Sequence, residues 1–242
     1  MHLAPGADRS EQYLRIRLLG GFGLSVDETD VSVARGAQRL LAYLALRRRP
    51  APRMLVAGTL WPAVGEAHAY SALRSALARL DAASRSAIAV DDHHLALSPH
   101  VRVDLWDAEA LARRLLDGDA AGRDDGGLPG PALLADDLLP GWYDDWSLAE
   151  AESWRQLRLH ALELLAESLT ADGAFGDAAL AALTAIRADP LRESPRAALI
   201  RVHLAEGNPS EARTEFARYR ELLAQELHLE PTERLRILVE GA

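Results

Sequence analysis

The sequence predicts a mainly α-helical protein in two parts, an α+β N-terminal part followed by an all-α array of helices. Apolar residues recur at helical spacing from Arg35 to about Ala82, and segments that alternate like strands lie on both sides. A helix-opening pattern recurs at Ala178 and Ala212, 34 residues apart, which is the period of tetratricopeptide-type helix pairs. The net charge of -9 is also divided, at +4 for residues 1–103 and -13 for 104–242. A basic part joined to an acidic part favours a protein with two kinds of partner.

Short strands open the chain after residues 1–12, which are polar and expected to be loose. Apolar and polar residues alternate over 14–18 and 22–26 with glycines between, which predicts a hairpin. A third strand is predicted at Val31–Val33. The glycines are not a phosphate-binding loop of Walker type, because that motif needs a lysine and this chain has none.

Three helices and a β-hairpin follow. The helices are predicted over 35–46, 53–61 and 66–82, and the strands over 87–90 and 95–97. Leu55, Val56 and Leu60 are the expected apolar positions of the second helix. The hairpin forms a wing beside the third helix, and residues 101–105 are expected to return to the first sheet.

The third helix has an apolar stripe of Leu73, Leu77 and Leu80. At 100° per residue, the opposite face presents small and polar side chains, namely His68, Ser71, Arg74, Ser75 and Ala78. Small side chains let a helix approach the floor of a groove, and an arginine can pair with N7 and O6 of guanine. An ordinary amphipathic helix with a solvated face remains the alternative.

The second part reads as helices with one unusual cluster. Helices are predicted over 107–116, 149–171, 173–188, 211–227 and 233–239. Residues 117–131, rich in glycine, aspartate and proline, are predicted to be a mobile connection. Trp142, Tyr143 and Trp146 are expected to anchor a loop against the helices that follow, and a ligand pocket is the less favoured interpretation.

Two sets of segments carry a resemblance to a known family. In the first part they are Arg15–Phe22, Gln38–Leu46, Gly58–Trp61 and Leu73–Leu80; in the second they are Leu138–Trp146, Glu152–Arg158, Asp189–Ser194 and Glu226–Pro231. In this order they resemble the Streptomyces antibiotic regulatory protein family. The resemblance implies a winged helix-turn-helix DNA-binding domain of OmpR type over 13–103. It also implies a tetratricopeptide-like bacterial transcriptional activation domain over 104–242.

The family resemblance implies a transcriptional regulator, usually an activator. Such proteins bind direct repeats in double-stranded promoter DNA as homodimers and contact RNA polymerase holoenzyme. The helix Ala67–Asp81 would then be the recognition helix. The base-reading candidates are His68, Ser71, Arg74 and Ser75, with Tyr70 nearer the core stripe. The phosphate-binding candidates are Arg35, Arg39, Arg53, Arg79, Arg85 and His94.

The chain departs from the family pattern in two places. Because position 78 is alanine, Arg74 is the one central arginine of the recognition helix. Few side chains of this helix can therefore read bases. His228 stands where relatives commonly have glycine.

Other classes of protein have less support. The chain has no cysteine, His93-His94 is not a helical metal-binding pair, and there is no Gly-x-Ser-x-Gly motif, so no enzyme, metal or cofactor is expected. No signal peptide or membrane span is visible, and a cytoplasmic, nucleoid-associated protein is expected. The alternative function is a tetratricopeptide-like protein–protein interaction adaptor that does not bind DNA on its own. The basic first part argues against that alternative.

Overall fold

The computed structural model describes residues 13–118 and 131–241. Residues 1–12 and most of the predicted connection at 117–131 lie outside this range. The chain divides into two compact units, one of residues 13–106 with 138–151, the other of 107–118, 131–137 and 152–241. The sequence placed the domain division at residue 103 and gave 138–151 to the second domain, whereas in the structure that segment packs with the first unit.

The first unit contains a four-stranded sheet in the order β3-β2-β1-β7. Its strands are β1 Leu14–Arg17, β2 Gly23–Val26, β3 Thr29–Asp30 and β7 Val101–Val103. β1 pairs antiparallel with β2 and parallel with β7, so residues 101–103 return to the sheet as expected. Leu14 and Ile16 are fully buried while Arg15 and Arg17 are exposed, which is the alternation that the sequence indicated.

The third strand lies two residues earlier than predicted. Asp27 and Glu28 both have positive φ, 49° and 65°, and Val26 pairs with Thr29 across them. Two consecutive left-handed residues make a tight turn that matches the twist of the sheet. The chain therefore reverses at once, and the prediction of a strand at Val31–Val33 was wrong.

Three helices and a second, three-stranded sheet complete the first unit. The helices are α1 Arg35–Arg47, α2 Arg53–Leu60 and α3 Glu66–Ala78, with a short α4 at Ala82–Ser86. The second sheet has the order β4-β6-β5, with strands at Ala51–Pro52, His94–Leu97 and Ile88–Val90. Thus the predicted wing is present, and β4 connects it to the start of α2. Leu55 is 43% exposed and not a core position, because it lies about 100° from buried Val56 on a helix of two turns.

The aromatic cluster belongs to the first unit. Trp142 is buried with its ring centroid 6.2 Å from that of Phe22 and 6.0 Å from that of Trp146. Trp146 meets Tyr43 of α1 edge to face at 5.5 Å. Tyr143 is 83% exposed and anchors nothing within the described chain. The expectation that all three rings anchor this loop to the following helices is therefore wrong for Tyr143. Trp146 belongs to the helix Asp145–Ala171, so its contact with Trp142 does join the loop to a following helix, and Tyr43, 103 positions before Trp146, adds a contact with α1.

The second unit is helical. It contains part of α5 Asp104–Leu116 and of α6 Asp145–Ala171, a 3-10 turn at Pro131–Leu134, and the helices α7 Phe175–Ala188, α8 Glu193–Glu206, α9 Pro209–Leu227 and α10 Glu233–Glu240. α7 packs on α8, and α8 packs on α9. Ala178 and Ala212 are both fully buried at the openings of α7 and α9, so the 34-residue period reflects equivalent packing positions.

Helix α10 closes the array. Its Leu235 and Val239 join a buried cluster with Ile200, Tyr219 and Leu223 of α8 and α9. The hydroxyl of Tyr219 donates a hydrogen bond to the Leu191 carbonyl at 2.9 Å, and burial raises the pKa of Tyr219 to about 12. No helix in the described ranges is long and apolar enough to span a membrane.

Candidate nucleic-acid interface

Helix α3 has two faces of different character. Ala69, Leu73, Ala76 and Leu77 are buried, and they hold the helix against the first unit. The five residues of the opposite face are all exposed: His68, Ser71, Arg74, Ser75 and Ala78. The helical period therefore places the base-reading candidates on one accessible surface of a helix that its own core fixes in place.

Arg74 has an aromatic neighbour on this surface. Its guanidinium carbon lies 5.8 Å from the centroid of the Tyr70 ring, within the range of a cation–π contact. Tyr70 is half-buried, which agrees with its predicted position near the core stripe. The ring is therefore placed to orient Arg74, since both side chains project from adjacent turns of the same helix.

The third helix ends before the residue that the sequence predicted. α3 stops at Ala78, Arg79 is its C-terminal cap residue, and Asp81 caps a new helix by accepting a hydrogen bond from the Ser84 backbone N–H at 2.7 Å. This bond also lowers the pKa of Asp81. The predicted span Ala67–Asp81 was therefore too long, because a local carboxylate cap favours a break over another helical turn.

Arg85 lies against the end of α3. One of its Nη atoms donates a hydrogen bond to the Leu77 carbonyl at 2.8 Å. A cation at the C-terminus of a helix is favourable because it meets unpaired carbonyls and the negative end of the dipole. Arg85 thus has a structural contact, although the residue as a whole is exposed. The sequence gave no signal for this contact.

The wing turn is organised by Asp91. Its Oδ1 accepts hydrogen bonds from the backbone N–H groups of His93 and His94, at 2.7 and 2.5 Å, and these lower the pKa of Asp91. The Nδ1 atom of His94 lies 3.5 Å from the same oxygen, and His94 is half-buried. Its ring therefore faces an acid of its own turn. The Arg53 backbone N–H donates to the His93 carbonyl at 2.9 Å, which connects α2 to the wing.

Two arginines of α1 contact the aromatic loop. The guanidinium of Arg35 lies 4.3 Å from the Trp142 ring centroid, although Arg35 itself is exposed. Arg39 pairs with Asp144 at 2.5 Å, and its side chain is only 19% exposed. Of the six phosphate candidates, Arg39 is therefore the one most fully committed to a contact within the protein.

No group of three or more histidine, aspartate or glutamate side chains with metal-binding geometry occurs in 13–118 and 131–241. The carboxylate of Asp104 lies beside β1, where it accepts hydrogen bonds from the backbone N–H groups of Leu18 and Leu19 at 2.9 and 3.1 Å. Desolvation raises the pKa of Asp104, and these bonds oppose that shift. Its role is to attach the start of α5 to the sheet.

Comparison with known proteins identifies the class. Residues 74–241 match the bacterial transcriptional activator domain, which is most of the chain, and the protein belongs to this family of transcription regulators. A comparison with curated protein sequences finds no match. The resemblance that the sequence carried is thereby confirmed at the level of the family.

A solved structure shares the fold. It is Mycobacterium tuberculosis EmbR in complex with a low-affinity phosphopeptide, which is 21% identical to this chain with a TM-score of 0.67. The match covers 95% of this chain and 65% of the EmbR chain, so the present chain spans about two thirds of the length of that protein. A winged helix-turn-helix part followed by a helical array is thus the fold that this chain shares with the matched part of EmbR, and the predicted fold class is confirmed.

Proposed function

We propose that this protein is a sequence-specific DNA-binding transcriptional activator that inserts α3 into the major groove. One observation carries the proposal: the exposed face of α3 combines small side chains with a single arginine, beside a β-hairpin wing. The major groove is wide enough to admit a helix, and small residues permit close approach to the base edges.

Each exposed residue has a chemical role in this arrangement. Arg74 donates two hydrogen bonds to N7 and O6 of a guanine, which is the commonest specific contact of an arginine. Ser71, Ser75 and His68 offer hydrogen bonds that suit more than one base. Tyr70 contributes by holding the guanidinium of Arg74 rather than by reading a base itself, because its ring is half-buried.

The phosphate contacts come from the arginines around this face. Arg79 and Arg85 flank the C-terminal end of α3, and Arg53 begins α2 next to the wing. Arg35 and His94 are further candidates. Arg39 contributes least, because binding a phosphate would require its 2.5 Å pair with Asp144 to break. Such contacts position a protein on DNA and make its binding depend on salt.

The acidic second part has a different role. With a net charge of -13 over 104–242, it repels the DNA backbone and suits contacts with proteins. Stacked helix pairs bury their faces on one another and leave extended surfaces for partners. We therefore assign to this part the contact with RNA polymerase holoenzyme, and we expect a homodimer on direct repeats of promoter DNA.

Binding-site selection from random duplexes with the full chain tests the proposal. We expect an enriched direct repeat whose affinity falls steeply with salt. Ser71→Asp, which places a negative charge on the α3 face, should abolish binding to the selected site. The matched control is Ser210→Asp on α9, another exposed helical serine, which should bind as the parent does.

The outcome separates the two functions that the sequence left open. Lack of any enriched sequence, or equal effects of the two serine variants, would contradict the DNA-binding proposal and favour the adaptor. A selected site placed upstream of a promoter should then raise transcript yield with purified polymerase holoenzyme. A lowered yield would refute the activator assignment while leaving DNA binding intact.

A further inference from the structure

A groove of about 530 Å³ lies within the second unit, between α6, α8 and α10. Pockets of 300–1,000 Å³ are typical of small-molecule sites. Its apolar lining comes from Ala197, Leu235, Ile237 and Leu238, with charged side chains around the rim. It is distant in sequence from α3, and the DNA-binding function does not use it.

Ile237 is the unusual residue of this groove. Its neighbours Leu235 and Val239 on α10 are 2% and 7% exposed because they face the buried cluster. Ile237 is 58% exposed and lines the groove instead. An apolar side chain held open at the edge of a cavity gains free energy when a ligand covers it, because apolar surface leaves water.

The acidic groups of the rim already have partners. Glu163 accepts hydrogen bonds from Arg192 Nε at 2.8 Å and from Ser194 Oγ at 2.7 Å. Glu193 accepts the backbone N–H of Thr232 at 2.9 Å and also its hydroxyl. These two carboxylates are occupied in holding the helices together, so they do not call for a cationic ligand.

The basic groups of the rim retain donors. Arg201 makes one hydrogen bond to Glu167, at 3.2 Å, and the two side chains are 36% and 52% exposed. Exposed pairs of this kind contribute little to stability and exchange readily with other partners. Arg234 has no hydrogen-bonding or ionic partner among the residues that the structure describes, although it lines the groove. The hydrogen-bond donors that remain available on the rim are thus the guanidinium N–H groups of Arg201 and Arg234.

We propose that this groove binds a small amphipathic organic anion. The carboxylate or similar anionic group pairs with Arg234 and with the spare N–H groups of Arg201, since guanidinium groups match planar anions in a bidentate way. The apolar body covers Ile237 and Leu238. Because the ligand would touch α6, α8 and α10 together, it should raise the thermal stability of the protein as well as bind it.

Fluorescence titration with anilinonaphthalenesulfonate, an aromatic sulfonate, tests the proposal on the full chain. We expect one site per chain, displacement by decanoate, and no displacement by decyltrimethylammonium, which has an alkyl chain of similar length and the opposite charge. Decanoate should also raise the midpoint of thermal unfolding. Site occupancy in the folded protein is thereby distinguished from dye binding to exposed or unfolded segments.

Two pairs of variants locate the site. Ile237→Asp should weaken dye binding at least about tenfold, and Leu229→Asp, at a residue 56% exposed outside the groove, should not. Arg234→Glu should weaken binding about tenfold or more by removing a charged hydrogen-bond donor, whereas Arg236→Glu on the same helix should leave it unchanged.

Specific outcomes would overturn the proposal. One is an equal loss of dye binding in a groove variant and its control. Another is tighter binding of decyltrimethylammonium than of decanoate. A third is a stoichiometry of several dye molecules per chain. Saturation of the groove by a helical peptide but by no small anion would assign it to a protein partner instead. Arg234 is exposed, so its variant keeps the test valid even if Ile237→Asp reduces stability. None of these readouts involves DNA, and their failure is separate from failure of the activator proposal.

Discussion

Replacement of Arg74 by alanine tests the proposed base-reading face directly. Arg74 is exposed, and beside its contact with the Tyr70 ring its side chain makes no hydrogen bond or ion pair in the described ranges. Exposed substitutions of this kind usually change the free energy of unfolding by less than about 0.5 kcal/mol. A loss of DNA binding in Arg74→Ala would therefore report on the interface and not on the fold.

The structure sets the magnitude. A bidentate arginine–guanine pair is worth about 1–3 kcal/mol of discrimination, or roughly 5- to 150-fold in affinity. The Tyr70 ring at 5.8 Å adds about 0.5–1 kcal/mol by orienting the guanidinium at an exposed site. Tyr70→Leu should thus weaken binding about two- to fivefold. It should have little further effect in the Arg74→Ala background, because the two residues act through one contact.

Fluorescence anisotropy on the selected site and on a scrambled duplex, at two salt concentrations, supplies the measurement. Arg74→Ala should lose affinity for the selected site and keep most of its affinity for the scrambled one, so the ratio of the two falls. Arg220→Ala, at an exposed arginine of α9, is the control. If the ratio stays at the parent value, or if affinity for both duplexes falls equally, Arg74 does not read a base.

Three further predictions concern the fold. His228 ends α9 with φ 55°, so His228→Gly should relieve left-handed strain and raise the free energy of unfolding by up to about 1 kcal/mol in denaturant titrations. Trp142→Ala should lower the free energy of unfolding by about 3–5 kcal/mol because the ring is buried. Tyr143→Ala, at a residue 83% exposed, should change that free energy little. Because the Ser84 N–H lowers the pKa of Asp81, that cap is present above the ordinary pKa of aspartate and lost as pH falls through the lowered value. The melting difference between parent and Asp81→Ala should therefore be largest near neutral pH and shrink below about pH 4.

Periodicity predicted those parts of the fold that local sequence determines. The buried stripe of α3 and the alternation of β1 follow from side-chain direction alone, and both were found. The 34-residue spacing of Ala178 and Ala212 anticipated two equivalent helices because each position must fit against a neighbour. Family membership could likewise be inferred, because short sequence segments that resemble the family occur along the chain in the family's order.

Long-range contacts decided the parts that the sequence could not give. The pair between Arg39 and Asp144 joins residues 105 positions apart, and nothing in either local pattern indicates it. The same holds for the edge-to-face contact of Tyr43 and Trp146, which places the aromatic loop on the first unit. The break after Ala78 depends on one carboxylate cap at Asp81. Periodicity continues through such a break, because it records which face is buried and not where the backbone hydrogen bonds stop.

The chemistry of α3 also bears on the oligomeric state that we propose. A single arginine with three weaker hydrogen-bonding side chains provides about 1–3 kcal/mol of base discrimination at its strongest contact. Specific sites are typically preferred over other DNA by about 4–10 kcal/mol. The strongest contact of one copy therefore falls short of the usual range, and phosphate contacts add nothing to it because they do not discriminate sequence. Two copies bound to a direct repeat double the free energy of sequence discrimination, although each copy makes the same few base contacts. Under the proposed function we accordingly expect selectivity for a repeat over one half-site.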